Sequence, residues 1–390
     1  MSKVILKKGK HQRIRSGHPW VYGNEIEMLH GAVEPGEIVE VYDAKNYFLG
    51  KGYYNERSQI RVRLLTRELD EEINEEFFRR RIISCWNYRK QLGYTENYRL
   101  VFGEADFLPA LVIDKLGDFF VLQTLSLGMD RWKTTIVTVL EELFSPKGIY
   151  ERNDVPVRKL EGLSEQKNFL SASFPTKFKI NEDGVKLSVD VENGQKTGFF
   201  LDQKDNRKAL QFISEGADVL DCFCYTGSFA LFAAKFGARH VLGIDVSDAA
   251  VDQARENATL NNFAHICEFQ VANAFDELPK WAKEKKIFDL IILDPPAFTK
   301  NRAALEAASR GYKEINLRAM KLIRKGGFLV TFSCSHFMEP GLFFEMIQQA
   351  AYDAGKTIRQ VAFLSQSKDH PIMWNIEETN YLKGFVLQVL

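Results

Sequence analysis

Cysteine is scarce in this chain. There are five in 390 residues, an odd number without framework spacing, which excludes a disulfide-stapled scaffold. Long apolar runs are missing as well; none approaches the ~18 residues needed to cross a bilayer. The start, Met1-Ser2-Lys3-Val4-Ile5-Leu6-Lys7-Lys8, carries charge but no apolar core of signal-peptide length. Net charge is absent, 52 basic side chains balancing 52 acidic ones. With 45% hydrophobic and 27% charged residues the composition is that of a globular protein, and it excludes wholesale disorder, collagen and coiled coil. These absences predict a cytoplasmic protein without a membrane segment.

The balanced total hides an uneven distribution. Residues 1–67 hold twelve Lys and Arg against seven Asp and Glu, and residues 1–15 hold six basic side chains and no acidic one. A positive N-terminal face on a neutral chain points to a polyanion partner, and equally to a solvated terminus.

Three regions follow from periodicity. In residues 1–67, Glu37–Tyr42 alternates with period two, and 47–54 and 59–65 follow as short strands, suggesting a small β barrel or sandwich. The acidic run Glu68–Glu76 opens a helix expected to reach Leu92, with Phe77, Ile82, Ile83 and Trp86 as its stripe. The rest of residues 68–190 reads as an α+β module: a hairpin turning at Gly117-Asp118, a helix over 131–144, and strands near 148–151, 176–180 and 185–191. Residues 191–390 hold the strand–helix alternation of a doubly wound α/β domain. Its strands are expected at 218–223, 240–244, 267–271, 288–293 and 328–333, with 360–364 and 381–390 as a terminal hairpin.

Ligands of such a sheet sit at the carboxyl ends of its strands. The first strand ends in Asp221-Cys222-Phe223-Cys224-Tyr225-Thr226-Gly227, which has one glycine where a dinucleotide loop needs three. That loop suits a nucleoside ligand without a pyrophosphate, such as S-adenosylmethionine. Asp245 ends the second strand, 24 residues after Asp221, where a carboxylate accepts hydrogen bonds from both ribose hydroxyls. Ser247 or Asp248 fills the alternative role of helix cap better. Asn273, at the third strand's end, is placed for the adenine edge. The fourth strand ends in Asp294-Pro295-Pro296-Ala297-Phe298. Its prolines stiffen the turn and remove two donors, leaving Asp294 and carbonyls for a planar amino-bearing base.

Cys334 ends the fifth strand, beside the Asp294 strand. Cysteine commonly serves as a small buried hydrophobe, but this position assigns Cys334 a cleft and a nucleophilic thiolate. Cys222 and Cys224 have no partner at zinc spacing, so no metal is expected. Cys85 and Cys267 read as core. His336 neighbours Cys334, and His370 belongs to a loop that can line the cleft.

These residues resemble the RlmI-like family of ribosomal RNA cytosine methyltransferases along essentially the whole chain. Arg15-Ser16-Gly17-His18-Pro19-Trp20-Val21-Tyr22, Gly50-Lys51-Gly52-Tyr53-Tyr54-Asn55 and Ser58–Arg63 are similar to its PUA domain. Gln195–Arg207 is similar to the segment that precedes its methyltransferase core, followed by the Asp-Pro-Pro-Ala-Phe loop and Thr331-Phe332-Ser333-Cys334-Ser335. The resemblance implies a PUA-like domain, a central α+β module and a Rossmann-like methyltransferase domain. It implies S-adenosylmethionine as cofactor, carbon 5 of a cytosine in large-subunit ribosomal RNA as acceptor, and a homodimer. Cofactor contacts are then expected from Phe199, Asp221, Phe223, Tyr225, Thr226, Gly227, Asp245, Asn273 and Asp294. Substrate contacts are expected from Lys196, Arg207, Pro295, Pro296, Phe298 and His370, with Cys334 and Asp294 catalytic. Many members of the wider superfamily carry a second cysteine where Pro296 stands, so a second-thiol release is not available here. The family commonly has a basic residue at the position of Ala297.

Covalent methylation at carbon 5 is the leading expectation. A methyltransferase acting on a base nitrogen is the rival enzyme; it has no use for a thiol at Cys334. An RNA-binding protein with a non-catalytic cofactor domain is the rival from another class, and an NAD oxidoreductase ranks last for want of the pyrophosphate glycines.

Overall fold

The computed structural model describes residues 2–299 and 302–390. The chain forms two compact units: Met1–Ile180 with Val189–Leu201 and Lys368–Thr379, and Asn181–Ser188 with Asp202–Ser367 and Asn380–Leu390.

The first unit begins with a six-stranded sheet in the order Trp20–Tyr22, Ile60–Thr66, Phe48–Tyr54, Ile38–Tyr42, Lys3–Leu6, Ile26–His30. The alternation at residues 37–42 works as expected, turning Val39 and Val41 inward onto Val4, Leu6, Val21 and Val62. A five-stranded sheet follows, ordered Lys167–Phe169, Gly148–Arg152, Phe119–Thr124, Leu111–Leu116, Asn97–Phe102. Gly117 turns its hairpin at φ +59°.

The helix expected from Glu68 begins only at Glu75 and ends at Gln91. Asn74 caps it, its side chain accepting from the Phe77 N–H at 3.0 Å. The acids before Asn74 stay outside and fold back instead, Glu71 pairing with Arg80 at 3.0 Å and Arg81 at 3.7 Å, while Glu75 and Glu76 form the first turn. The helix expected over 131–144 is two, Leu127–Arg131 and Lys133–Phe144, broken at Trp132. The N-terminal strands and the central module share one core. Tyr53 and Leu65 lie in a cluster with Phe77, Phe78, Leu100 and Ile136. The Tyr53 hydroxyl donates to Pro109 O at 2.8 Å.

The second unit is built on a seven-stranded sheet. Its strands are β1 (Asp218–Cys222), β2 (His240–Asp245), β3 (Cys267–Val271), β4 (Phe288–Leu293), β5 (Ile323–Ser333), β6 (Ile358–Ser365) and β7 (Lys383–Val389), in the order β3-β2-β1-β4-β5-β7-β6. The first five are parallel; β7 pairs antiparallel with both β5 and β6. Helices α1 (Ser228–Lys235), α2 (Asp248–Leu260), α3 (Ala274–Lys283), α4 (Leu305–Leu322) and α5 (Pro340–Asp353) accompany the strands. Buried parallel strands read as continuous apolar runs; in β4, Leu290, Ile291, Ile292 and Leu293 are fully buried. The strand order reverses between β1 and β4, which makes their carboxyl ends the expected ligand crevice.

Candidate active site

The loop after β1 is tightly held. Phe223 (φ +64°), Tyr225 (φ +49°) and Gly227 (φ +80°) all adopt left-handed backbone. For Phe223 and Tyr225 that conformation is strained and must be held by its surroundings. The Cys224 N–H donates to Ile244 O at 3.0 Å, and the Tyr225 N–H to Asp245 Oδ2 at 3.0 Å. Gly227 is needed for space as well as conformation. A Cβ there would meet the Phe269 ring at 2.9 Å and the Ala254 Cβ at 3.0 Å. One glycine suffices because the second strand's end anchors the other turns.

Three carboxylates converge on this end of the sheet. Asp221 is fully buried and accepts from the Ala230 N–H of α1 at 3.0 Å. Its Oδ1 has no hydrogen-bond partner among the described residues. Burial, with the charges of Asp294 and Asp245, pushes its carboxyl well above the ordinary value. Asp245 accepts from Tyr225 N–H through Oδ2 and from Ser247 N–H through Oδ1, both at 3.0 Å, while Ser247 caps α2. Among the described residues no group of three such side chains is close enough to share a metal ion. A buried acceptor without a donor, amid like charges, fits a ligand that brings positive charge and N–H groups. S-adenosylmethionine carries an ammonium and a sulfonium, so the residues present fit it. Asn273 caps α3, its Oδ1 accepting from the Phe275 N–H at 3.1 Å.

Across the reversal point, β4 ends at Leu293, opposite Thr331 of β5. Asp294 therefore leaves the sheet two residues below Cys334. Gln203, itself buried, donates to Asp294 Oδ1 at 2.9 Å and receives an N–H from Asn206 at 2.6 Å. The thiol of Cys334 lies 3.8 Å from Pro295 O. Cys334 is half-buried, whereas Cys85, Cys222, Cys224 and Cys267 are buried. Burial raises the thiols of those four, Cys267 to about 12. Cys334 is the one cysteine that is not buried, at the end where Asp294 emerges.

Aromatic rings line the same end. Phe298, from the Asp-Pro-Pro loop, lies 4.4 Å from Tyr312 of α4 and 5.8 Å from Phe275; Phe275 meets Phe223 at 6.4 Å. Phe275 is 36% exposed. Such a row can flank a planar base.

The structure thus brings together, within the second unit, Asp221, Phe223, Tyr225, Thr226, Gly227, Asp245, Asn273, Asp294, Pro295, Pro296, Phe298 and Cys334. Arg207 lies in this unit too, but it is a correction to the expectation from sequence. Its side chain is fully buried, with Nε 2.7 Å from Glu182 Oε1, itself fully buried. A guanidinium locked in a buried ion pair supports the fold and offers nothing to a nucleic acid. Lys196, Phe199 and His370 belong to the first unit. There Lys196 Nζ sits 4.5 Å over the Phe200 ring, and Phe199 is buried. His370 is buried, its Nδ1 2.8 Å from Asp369 Oδ1 and its ring 5.2 Å from Phe102.

Sequence reasoning missed Gln203, Phe275 and Lys383. Gln203 lies inside the Gln195–Arg207 segment, so a signal existed. Phe275 follows Asn273 at a strand end, where an aromatic is worth a question. Lys383 stands alone in an apolar strand, Tyr381-Leu382-Lys383-Gly384-Phe385-Val386, and a lone charge in such a run is itself a signal.

Residues 4–67 match the model of a PUA-like domain, and residues 163–385 that of an S-adenosylmethionine-dependent methyltransferase. The ribosomal RNA large subunit methyltransferase I of Pseudoalteromonas atlantica is 42% identical over 394 residues, covering 100% of both chains. The protein of the same name from Shewanella amazonensis is 43% identical, covering 99% of each. Among solved structures, SMU.776, described as a methyltransferase and complexed with SAH, superposes with a TM-score of 0.85 at 20% identity over 100% of both chains. That last likeness is one of fold.

Proposed function

The chain belongs to the S-adenosylmethionine-dependent methyltransferases, among the ribosomal RNA large subunit methyltransferase I proteins, and from that premise we propose that it forms 5-methylcytosine in large-subunit ribosomal RNA through a covalent bond between Cys334 and the base. One observation carries the chemistry. Of five cysteines, four are buried and Cys334 alone is partly exposed beyond that, and it sits against the loop that presents Asp294. A nitrogen acceptor is already nucleophilic and needs no thiol; carbon 5 of cytosine is a poor nucleophile and does.

The bound cofactor supplies an electrophilic methyl group on its sulfonium. Asp245 would hold the ribose, the Phe223–Gly227 loop would lie along the nucleoside, and Asp221 would face the cationic end. The Cys334 thiolate adds to carbon 6 of the base. The electron pair of the carbon 5–carbon 6 double bond shifts toward nitrogen 3, which takes a proton from water, and the Asp294 carboxylate accepts from that N–H and from the exocyclic amine. Carbon 5, now enamine-like, accepts the methyl group. Loss of the carbon 5 proton to water re-forms the double bond and expels the thiolate, and nitrogen 3 returns its proton to water. Gln203 keeps Asp294 oriented throughout. Phe298 and Phe275 flank the cytosine, which leaves its stack to enter. Pro295 and Pro296 shape the floor. Lys196, Phe199 and His370 keep their assigned contacts on the family resemblance alone.

RNA is held first by charge. Arg13 and Arg15 pair with Glu25 and Asp43 at 2.9 and 2.8 Å. Lys7, Lys8 and Lys10 are exposed and have no ion pair among the described residues. Lys10, Arg13, Gln59 and Arg61 line an open hollow of about 460 Å³. Action in the cytoplasm belongs to this reading; no helix among the described residues is long and apolar enough to cross a membrane. The test is mass spectrometry of ribosomal RNA from cells lacking the protein. Loss of one 5-methylcytosine supports the proposal; loss of a methyl group from a base nitrogen refutes it.

A further inference from the structure

Lys383 begins β7 opposite Ser333, the last residue of β5, so antiparallel pairing sets its side chain beside the turn that carries Cys334. Lys383 is 2% exposed, and its ammonium donates to Ser335 O and Met338 O, both at 2.6 Å. No carboxylate lies within ion-pair distance among the described residues; Glu339 acts on it only from farther away. Burying an ammonium against carbonyls alone is costly, and burial does push Lys383 down, to about 8. An apolar residue would serve β7 better. The charge therefore has another task.

We infer that Lys383 is a positioning residue for Cys334: it clamps the Ser335–Met338 turn and supplies the positive charge that faces the sulfur. The inference rests on the proposed nucleophilic role of Cys334. The interaction is reciprocal. The Cys334 thiolate raises Lys383's hold on its proton, so the ammonium lowers the thiol's hold on its own by the same free energy. The other groups facing this turn do not replace it. From α4, the Tyr312 hydroxyl lies 3.4 Å from Ser335 Oγ, and burial raises its pKa, so it stays neutral. Glu339 is negative and opposes thiolate formation, while Asp294, across the loop, adds a second negative charge. His336 lies in the same turn, two positions after Cys334, and Lys383 is the buried ammonium that bonds to that turn.

The test reads the thiol directly. Full-length protein is alkylated with iodoacetamide across a pH series, and Cys334 is followed by peptide mass spectrometry; the other four cysteines are buried. In Lys383→Met the midpoint should rise, slowing alkylation at neutral pH about tenfold, and Lys383→Arg should restore most of the rate. Cofactor titration reports whether each variant folds. A Lys383→Met profile matching wild type, in protein that binds cofactor normally, overturns the inference and leaves Lys383 a clamp alone. Failure of the nucleophile reading looks different: Cys334→Ala would stay active whatever the alkylation profile shows.

Discussion

Replacing Asp245 by Asn should weaken S-adenosylmethionine binding by a calculable amount. Each carboxylate oxygen already accepts one backbone N–H, from Tyr225 and Ser247 at 3.0 Å. Each keeps a second lone pair, and the two point to the vicinal ribose hydroxyls in our account. Asparagine keeps one acceptor and forfeits one charged hydrogen bond, worth ~1.5–3 kcal/mol, so affinity falls roughly ten- to a hundredfold. Asp245→Ala should fall further, because it also frees the Tyr225 N–H and with it a residue held at φ +49°. Calorimetric titration measures both variants. The control is an analogue lacking the ribose hydroxyls, against which wild type and Asp245→Asn should bind alike. Unchanged affinity in Asp245→Asn, or an equal loss with the analogue, would refute the ribose assignment and leave Asp245 an anchor of the loop.

Other outcomes follow from the same geometry. Asp221 titrates above its unfolded value, so it contributes stability at low pH that is lost as pH rises through its folded pKa. A cationic cofactor reverses that loss: its thermal stabilisation should grow, and a proton be released, as pH rises from the ordinary carboxylate range toward the raised folded value, while Asp221→Asn should flatten the dependence. Gly227→Ala should abolish cofactor binding, since the Phe269 ring and Ala254 leave no room and φ is +80°; a normal titration would contradict the close packing. Replacing Lys7, Lys8 and Lys10 by Gln should weaken RNA binding, leaving cofactor affinity unchanged. The salt slope of RNA binding should fall by ~0.7–0.9 for every phosphate that is no longer neutralised. An unchanged slope would make these lysines a solvated surface. Substitution is the right perturbation here, because removing residues 1–67 would strip Tyr53 and Leu65 from the core they share with the central module.

The second unit was largely legible because parallel strands leave continuous apolar runs and their ends carry the chemistry. Asp221, Asp245, Asp294 and Cys334 each follow such a run. Less legible were features set by long-range pairing. Lys383 meets Cys334's turn only because β7 inserts antiparallel between β5 and β6, a register no local pattern states. Gln203 reaches Asp294 across 91 positions. Arg207 failed for a related reason. A basic residue in a motif reads as a phosphate contact, and nothing near it in sequence announces that Glu182, from the preceding hairpin, neutralises it. The late start of the Glu75 helix is a competition between a good cap at Asn74 and acids better spent on Arg80 and Arg81.

The central claim is that Cys334 bonds to carbon 6 of the target cytosine, and trapping tests it most directly. Protein, S-adenosylmethionine and an RNA carrying 5-fluorocytosine at the target are incubated and resolved under denaturing conditions. Methyl transfer to carbon 5 leaves a fluorine that cannot depart as a proton does, so the thiol cannot be expelled. A covalent protein–RNA complex should form that requires cofactor, maps to the Cys334 peptide, and is absent in Cys334→Ser and Cys334→Ala, both of which should still bind cofactor. Full turnover by Cys334→Ala, or a trapped RNA on Cys222 or Cys224, would contradict it.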